Sequence, residues 1–276
     1  MKHIFISPHF DDAIGSCGAA ISRLRRCEEA VIVYTVFAGA SSPPFSDLAV
    51  ELHAQWGCGD SPVPARAEED AWACRALDCI QQLGDVPEAL YRKSGQGTFL
   101  YPDEGALFGP SAPEDADLHL RISQDLAREF LKADVCFYAP LGAGRHVDHV
   151  ITFRAGLEWL QQGYPISFYR DFYYADCDCP HLAEREFQIS PQPSSALDLE
   201  RKLRAFSCYK SQIPMLFKDS ARALAYFERR EQESQNQKPF EETFWKLMTP
   251  SPRLNSVALE SVPNRERRGP SSFDPA

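Results

Sequence analysis

Two short stretches of this chain carry side chains able to do metal-assisted chemistry. The first is Ser7-Pro8-His9-Phe10-Asp11-Asp12-Ala13-Ile14-Gly15, and the second is Gly142-Ala143-Gly144-Arg145-His146-Val147-Asp148-His149-Val150. His9 and Asp12 stand three residues apart, so one turn of tight loop or nascent helix aims an imidazole and a carboxylate at a common point. With Asp11 between them, two carboxylates and a histidine form a nitrogen- and oxygen-bearing site suited to a divalent cation. The plain alternative is that Asp11 or Asp12 caps the following helix. In the second stretch, H-x-D-H places His146 and His149 one turn apart, with Asp148 able to orient an imidazole through its ring N–H. Three of the seven histidines lie in these two motifs, and the other four have no such company.

The elements around the motifs must bring them together. Lys2–Ser7 and Ala30–Phe37 read as short apolar strands, separated by a glycine-rich turn and a helix over Gly18–Arg26. A helix over Pro64–Gln82, a strand over Glu88–Lys93, a helix over Glu114–Lys132, a strand over Asp134–Ala139, a helix over Val147–Gln162 and a strand over Ile166–Arg170 continue the alternation. Continuous apolar strands alternating with helices predict a doubly wound, mostly parallel α/β sheet with helices on both faces. Ser194–Glu233 reads as mostly helical, and Phe240–Met248 as a return strand. Each motif then directly follows a strand, so both fall on the carboxyl-end rim where such sheets bind ligands. The long connections Ala38–Asp47, Ser94–Pro113 and Asp171–Glu184 also invite a functional reading.

Composition narrows the classes. The chain has 276 residues, 44% hydrophobic and 12% aromatic, with a net charge of −10 and nine cysteines. A core of that apolar content argues against disorder, and an acidic chain without a basic block gives no electrostatic reason to bind nucleic acid or an anionic membrane. No apolar run approaches the roughly 18 residues that span a bilayer. Cysteines at this density are not a disulfide scaffold, so the expectation is a cytoplasmic protein with reduced thiols that mostly pack. Residues 1–249 are expected to form one α/β domain, and the proline-rich segment 250–276, with its Arg265–Arg268 charge run, a mobile tail.

SPHFDDAIGSCG followed by GRHVDHV resembles the PIG-L/LmbE family of zinc-dependent de-N-acetylases, whose pattern is an (A/S)-H-P-D-D-E turn after strand one and an H-P-D-H turn near mid-chain. Arg66-Ala67-Glu68-Glu69-Asp70-Ala71, Phe168-Tyr169-Arg170-Asp171 and a helix with Lys202, Ala205, Tyr209, Ser211 and Gln212 are similar to further family segments. The resemblance implies a Rossmann-like fold and one Zn²⁺ held by His9, Asp12 and His149. It implies Asp11 as general base toward the attacking water, and His146, oriented by Asp148, as oxyanion stabiliser or acid toward the leaving amine. Arg66 is the first expected substrate contact and Arg145 the second, each alternatively a structurally paired arginine. Phe10 and Ala13 stand where the family commonly has Pro and Glu, which spares the ligands but removes a carboxylate near them.

The expected activity is removal of an N-acetyl or other N-acyl group from a small-molecule amino sugar or glycoconjugate. An amidase acting on thiol conjugates, or another metal-dependent amide hydrolase, is the alternative; a non-catalytic carbohydrate-binding protein is a third reading. Trp56, Tyr91, Tyr169, Tyr173 and Tyr174 are aromatic residues able to stack on sugar rings or to fill the core. Cys177-Asp178-Cys179-Pro180-His181 lacks paired zinc-ligand spacing and reads as an ordinary loop.

Overall fold

The computed structural model describes residues 1–59, 62–130, 134–174, 179, 187–235 and 241–247. Seven strands, β1 (Lys2–Ser7), β2 (Ala30–Thr35), β3 (Ile80–Leu83), β4 (Val135–Pro140), β5 (Ile166–Tyr169), β6 (Phe187–Pro193) and β7 (Glu241–Leu247), form one sheet in the order β3-β2-β1-β4-β5-β7-β6. The first five are parallel, and β7 runs antiparallel to both its neighbours. The order reverses at β1, which pairs with β2 on one side and β4 on the other. That is the topological switch point at which α/β sheets open a crevice.

Burial explains the parallel core. Along β1, Phe5 packs into one apolar cluster while Ile4 and Ile6 pack into another on the opposite face. Helices α1 (Asp12–Arg26) and α3 (Pro62–Ala76) cover the first face, joined by the carboxy-terminal helices α7 (Ala196–Phe206), α8 (Gln212–Phe217) and α9 (Ser220–Gln235). The other face is covered by α5 (Leu118–Glu129) and α6 (Val147–Gln161). Two shorter helices, α2 (Asp47–Trp56) and α4 (Glu104–Leu107), lie in the long connections on the carboxyl-end rim. The fold is thus the expected mixed, mostly parallel α/β sheet with helices around it. No helix among the described residues is long and apolar enough to cross a membrane.

Three elements differ from expectation. Helix α1 begins at Asp12 rather than Gly18, so Gly15 lies inside it rather than in a turn. A Cβ on Gly15 would fall 2.3 Å from the Phe172 ring and one on Gly18 2.7 Å from Lys202, so these glycines serve close packing. The strand expected over Glu88–Lys93 is a single 3-10 turn, Ala89–Tyr91. The edge strand lies instead at Ile80–Leu83, because α3 stops at Ala76 and Asp78 turns left-handed at φ 59°. Strand β6 has no counterpart among the expected elements; as an edge strand paired to β7 it tolerates Pro191 and Pro193. The expected tail, 250–276, lies outside the described residues, as do Cys177 and His181.

A buried carboxyl ties α3 to the rest of this face. Asp70 accepts hydrogen bonds from the Tyr209 hydroxyl at 2.7 Å and from Gln81 Nε2 at 2.8 Å. Burial raises it to about 7, against the two hydrogen bonds that favour its ionised form. A carboxyl whose folded value lies above its unfolded one contributes stability that is full below about pH 4 and is lost as pH rises through about 7. Asp70→Asn should therefore melt at a progressively higher temperature relative to wild type as pH is raised across that window. A pH-independent offset between the two melting curves would contradict the assignment.

Candidate metal centre and active site

Neighbouring strands deliver the two motifs to one place. Lys2 to Phe5 of β1 pair in register with Val135 to Tyr138 of β4, so the chain leaves both strands at the same edge. After β1, the Ser7 hydroxyl accepts from the Ala13 N–H at 2.9 Å and donates to the His9 carbonyl, tightening the loop onto the start of α1. The His9 N–H donates to Asp12 Oδ2 at 2.8 Å. Asp11 occupies the N-cap position of α1 without capping it through its side chain. Neither carboxylate is thus absorbed by the capping role that the sequence left open. After β4, Gly142 and Gly144 take left-handed φ values of 69° and 75°. A Cβ on Gly144 would fall 2.2 Å from Tyr174, so only glycine fits where the loop turns into α6.

The side chains converge on Asp12. Its Oδ2 lies 3.3 Å from His9 Nδ1 and 3.3 Å from His149 Nε2. One ligand-capable atom from each of His9, His146 and His149 lies within 4.8 Å of the others. The far nitrogens of the two flanking histidines are each backed by a carboxylate. His9 Nε2 meets Asp148 Oδ2 at 3.0 Å, and His149 Nδ1 meets Asp171 Oδ1 at 2.5 Å. Asp171 is itself fixed, its other oxygen accepting from the Ala143 N–H at 3.0 Å. Carboxylate-backed imidazoles are how proteins set the tautomer and aim of metal-binding histidines. Here the backing leaves His9 Nδ1 and His149 Nε2 with lone pairs facing the Asp12 oxygen, a nitrogen-oxygen set that fits a divalent cation.

His146 is arranged differently. Its Nδ1 accepts from the Asp148 N–H at 3.2 Å, so the proton of the neutral ring sits on Nε2 and that atom is a donor. The Asp148 carboxylate, expected to orient His146, instead holds His9; only the backbone of Asp148 orients His146. One residue thus fixes both rings through different atoms.

Electrostatics follow this division. Burial pushes His9 down, but its bonds to Asp12 and Asp148 win and raise it to about 9. Burial likewise disfavours charge on His149, yet Asp12 and Asp171 raise it well above the usual imidazole range. Against burial, the two rings hold Asp12 far below the carboxylate range, and Arg92 with His9 does the same for Asp148. The cluster therefore demands positive charge, which a bound cation supplies in place of imidazole protons. His146 moves the other way, driven well below its ordinary value by burial and then by His9, so it stays neutral. Asp11 is raised to about 6 by burial and by the Asp12 charge.

The cluster floors a cavity of about 140 Å³, room for one ring-sized group. Arg66 lines it at 3% exposure, donating to Glu88 Oε1 at 2.6 Å and stacking its guanidinium 4.5 Å from the Trp56 ring centroid. The buried Arg66 Nε has no hydrogen-bond acceptor among the described residues. Trp56, Phe108, Tyr173 and Tyr174 form aromatic walls, whereas Tyr91 and Tyr169 are buried in the core cluster and do not line the cavity. Arg145 does not line it either. Sequence reasoning missed Asp171 as the partner of His149, although it ends the Phe168–Asp171 segment already singled out. Arg92 and Glu88 lie in no motif and carried no signal.

A Rossmann-like α/β sheet with two strand-end loops joining histidines and carboxylates at its switch point defines a class of metal-assisted hydrolases. Comparison with known proteins narrows the class. The PIG-L family model, GlcNAc-PI de-N-acetylase, matches residues 4–160. The chain is similar to the 2'-N-acetylparomamine deacetylase of Niallia circulans, 31% identical over 239 residues that cover 79% of this chain and 83% of that one. Among solved structures, a zinc-inhibited form of a teicoplanin deacetylase superposes with a TM-score of 0.77 at 26% identity, covering 89% of this chain and 97% of the other. A deacetylase of the A40926 pseudoaglycone shares the fold at a TM-score of 0.74 and 23% identity, covering 90% and 98%. This chain belongs to the PIG-L family, and it is a hydrolytic de-N-acetylase.

The support that Asp171 gives His149 can be tested. Asp171→Asn should weaken divalent-metal affinity by about 10–100-fold, the usual effect of removing a carboxylate behind a ligating histidine. Competition with a chromophoric chelator reads this directly, and unchanged affinity would show that Asp171 does not govern the ring.

Proposed function

We propose that this protein hydrolyses the N-acetyl group of an amino sugar carried on an aminoglycoside or glycopeptide-like glycoconjugate, using one divalent metal, assigned as zinc, held by His9, Asp12 and His149. The observation that carries the reading is the placement of Asp12 Oδ2 at 3.3 Å from lone-pair nitrogens of both His9 and His149. The Asp148 N–H on His146 Nδ1, which puts the ring proton on Nε2, supports leaving His146 outside this set. When bound, the metal polarises the amide carbonyl and makes the attacking water more acidic.

The remaining steps belong to the chain. Asp11, buried at the cavity floor and held by neither histidine, takes the proton of the attacking water. His146 donates a hydrogen bond from Nε2 to the developing oxyanion as a neutral imidazole, and the departing amine takes the proton that Asp11 removed from the water. Arg66 lines the cavity as a cationic contact for the substrate while Glu88 holds its guanidinium in place. The aromatic walls supply stacking area for a sugar ring. Arg145, outside the cavity lining, has no part in this reading. The similar deacetylases acting on an N-acetylated paromamine and on teicoplanin support a glycoside-borne acetamide as substrate.

The test is to incubate metal-loaded protein with N-acetylated aminoglycosides, glycopeptides bearing an N-acetylated amino sugar and N-acylated thiol conjugates, and to follow primary amine. Release from the first two groups is expected. Exclusive release from thiol conjugates would overturn the substrate assignment, and full metal content with no release from any would leave a binding protein.

A further inference from the structure

Arg92 belongs to neither metal motif, yet its guanidinium reaches the site. It follows the 3-10 turn Ala89–Tyr91 and is 7% exposed. Nε donates to Asp115 Oδ2 at 2.8 Å, and Nη1 donates to Asp148 Oδ1 at 2.7 Å and to the Pro87 carbonyl at 3.1 Å. The rings of Phe37 and Tyr101 flank the guanidinium at 5.1 and 5.2 Å. The second Asp148 oxygen accepts from the Ala89 N–H at 2.9 Å and meets His9 Nε2 at 3.0 Å.

From this geometry we propose that Arg92 is the positioning residue for His9, acting through Asp148. The two oxygens of the Asp148 carboxylate are used on opposite sides, Oδ1 by Arg92 and Oδ2 by His9 and Ala89. A carboxylate gripped at both ends cannot rotate, so the His9 ring it holds cannot turn Nδ1 away from Asp12 Oδ2. The planar fork of arginine matters here, because it addresses Asp148 and Asp115 with separate N–H groups in a fixed plane. Asp115 is in turn held by the Tyr101 hydroxyl at 2.7 Å, which anchors the guanidinium to the long connection that carries α4. Without Arg92, Asp148 becomes a buried charge lacking its main compensating partner, and the His9 ring loses its fixed support.

The inference rests on His9 being a metal ligand, and the experiment separates the two. Zinc affinity of the full-length, chelator-stripped protein is measured by competition with a chromophoric chelator, alongside circular dichroism and thermal melting. Arg92→Met should stay folded and bind zinc about 10–100-fold more weakly, as expected when the support of a ligating histidine is lost. Asp115→Asn, which touches the other branch of the fork, should remain within roughly threefold of wild type, and Arg92→Lys, which keeps the charge but not the fork, should recover only part of the loss. Wild-type affinity in folded Arg92→Met, or an equal loss in Asp115→Asn, overturns the proposal. Should Arg92→Met not fold, Arg92→Lys decides: weakened binding supports the relay and wild-type binding overturns it. Wild-type affinity in His9→Ala removes the ligand assignment itself, whereas loss in His9→Ala with full retention in Arg92→Met removes only the role of Arg92.

Discussion

Asp11→Asn should keep its metal and lose turnover, with kcat falling by about 10²–10⁴-fold, the range that a positioned general base contributes. The substitution preserves size and shape but replaces the one carboxylate of the first motif that no histidine holds; Asp12 is taken by His9 and His149. Asp11 is 7% exposed and faces the cavity beside Asp12 and Arg66. An amide there can still accept a hydrogen bond from water, so substrate affinity should change little, and the effect should sit in kcat. Steady-state kinetics on the metal-loaded variant, with metal content measured in the same sample, give the answer. A kcat within about twofold of wild type is too small a change for a lost base and would contradict the assignment.

His149→Ala should abolish tight metal binding, whereas His146→Ala should retain it. Both rings lie in the same three-histidine cluster, so position alone does not separate them. Their hydrogen bonds do. His149 Nδ1 is committed to Asp171, which frees Nε2 toward Asp12, while His146 Nδ1 accepts from a backbone N–H. Removing a ligand outright should exceed the roughly 10–100-fold cost of removing a supporting carboxylate. His146→Ala should instead lose rate, in the range of about 10²–10³-fold that one oxyanion donor supplies. Equal loss of zinc in the two variants would mean a three-histidine site and a different role for Asp12.

Much of this was legible because chemistry and topology were written in the same short segments. The runs KHIFIS and VCFYA are apolar on both faces, so they had to be central parallel strands, and each ends directly in a motif. Adjacency of β1 and β4 then follows from the sheet order, which the sequence predicts only as a class. Local signals failed where tertiary packing decides. Gly15 looks like a turn residue but admits Phe172 against a helix. Ile80–Leu83 carries two glutamines and continues a helical pattern, yet it pairs with β2 once Asp78 breaks the helix. The role of Asp148 was half legible: an imidazole partner was expected, but which ring it holds depends on the approach of His9 from 139 residues away. Glu88 and Arg92 were expected in a strand and Asp115 in a helix, and neither pattern announces a burial that only the folded loops create.

The central claim is that these two loops form one metal-dependent site for amide hydrolysis. Its most direct test is to strip the protein with a chelator, reload it with one equivalent of zinc, and quantify acetate and primary amine released from an N-acetylated aminoglycoside. The account predicts no release from the stripped protein, and on reloading, release of acetate and amine in equal amounts. Turnover that survives complete metal removal, or acetate and amine in unequal amounts, would contradict it.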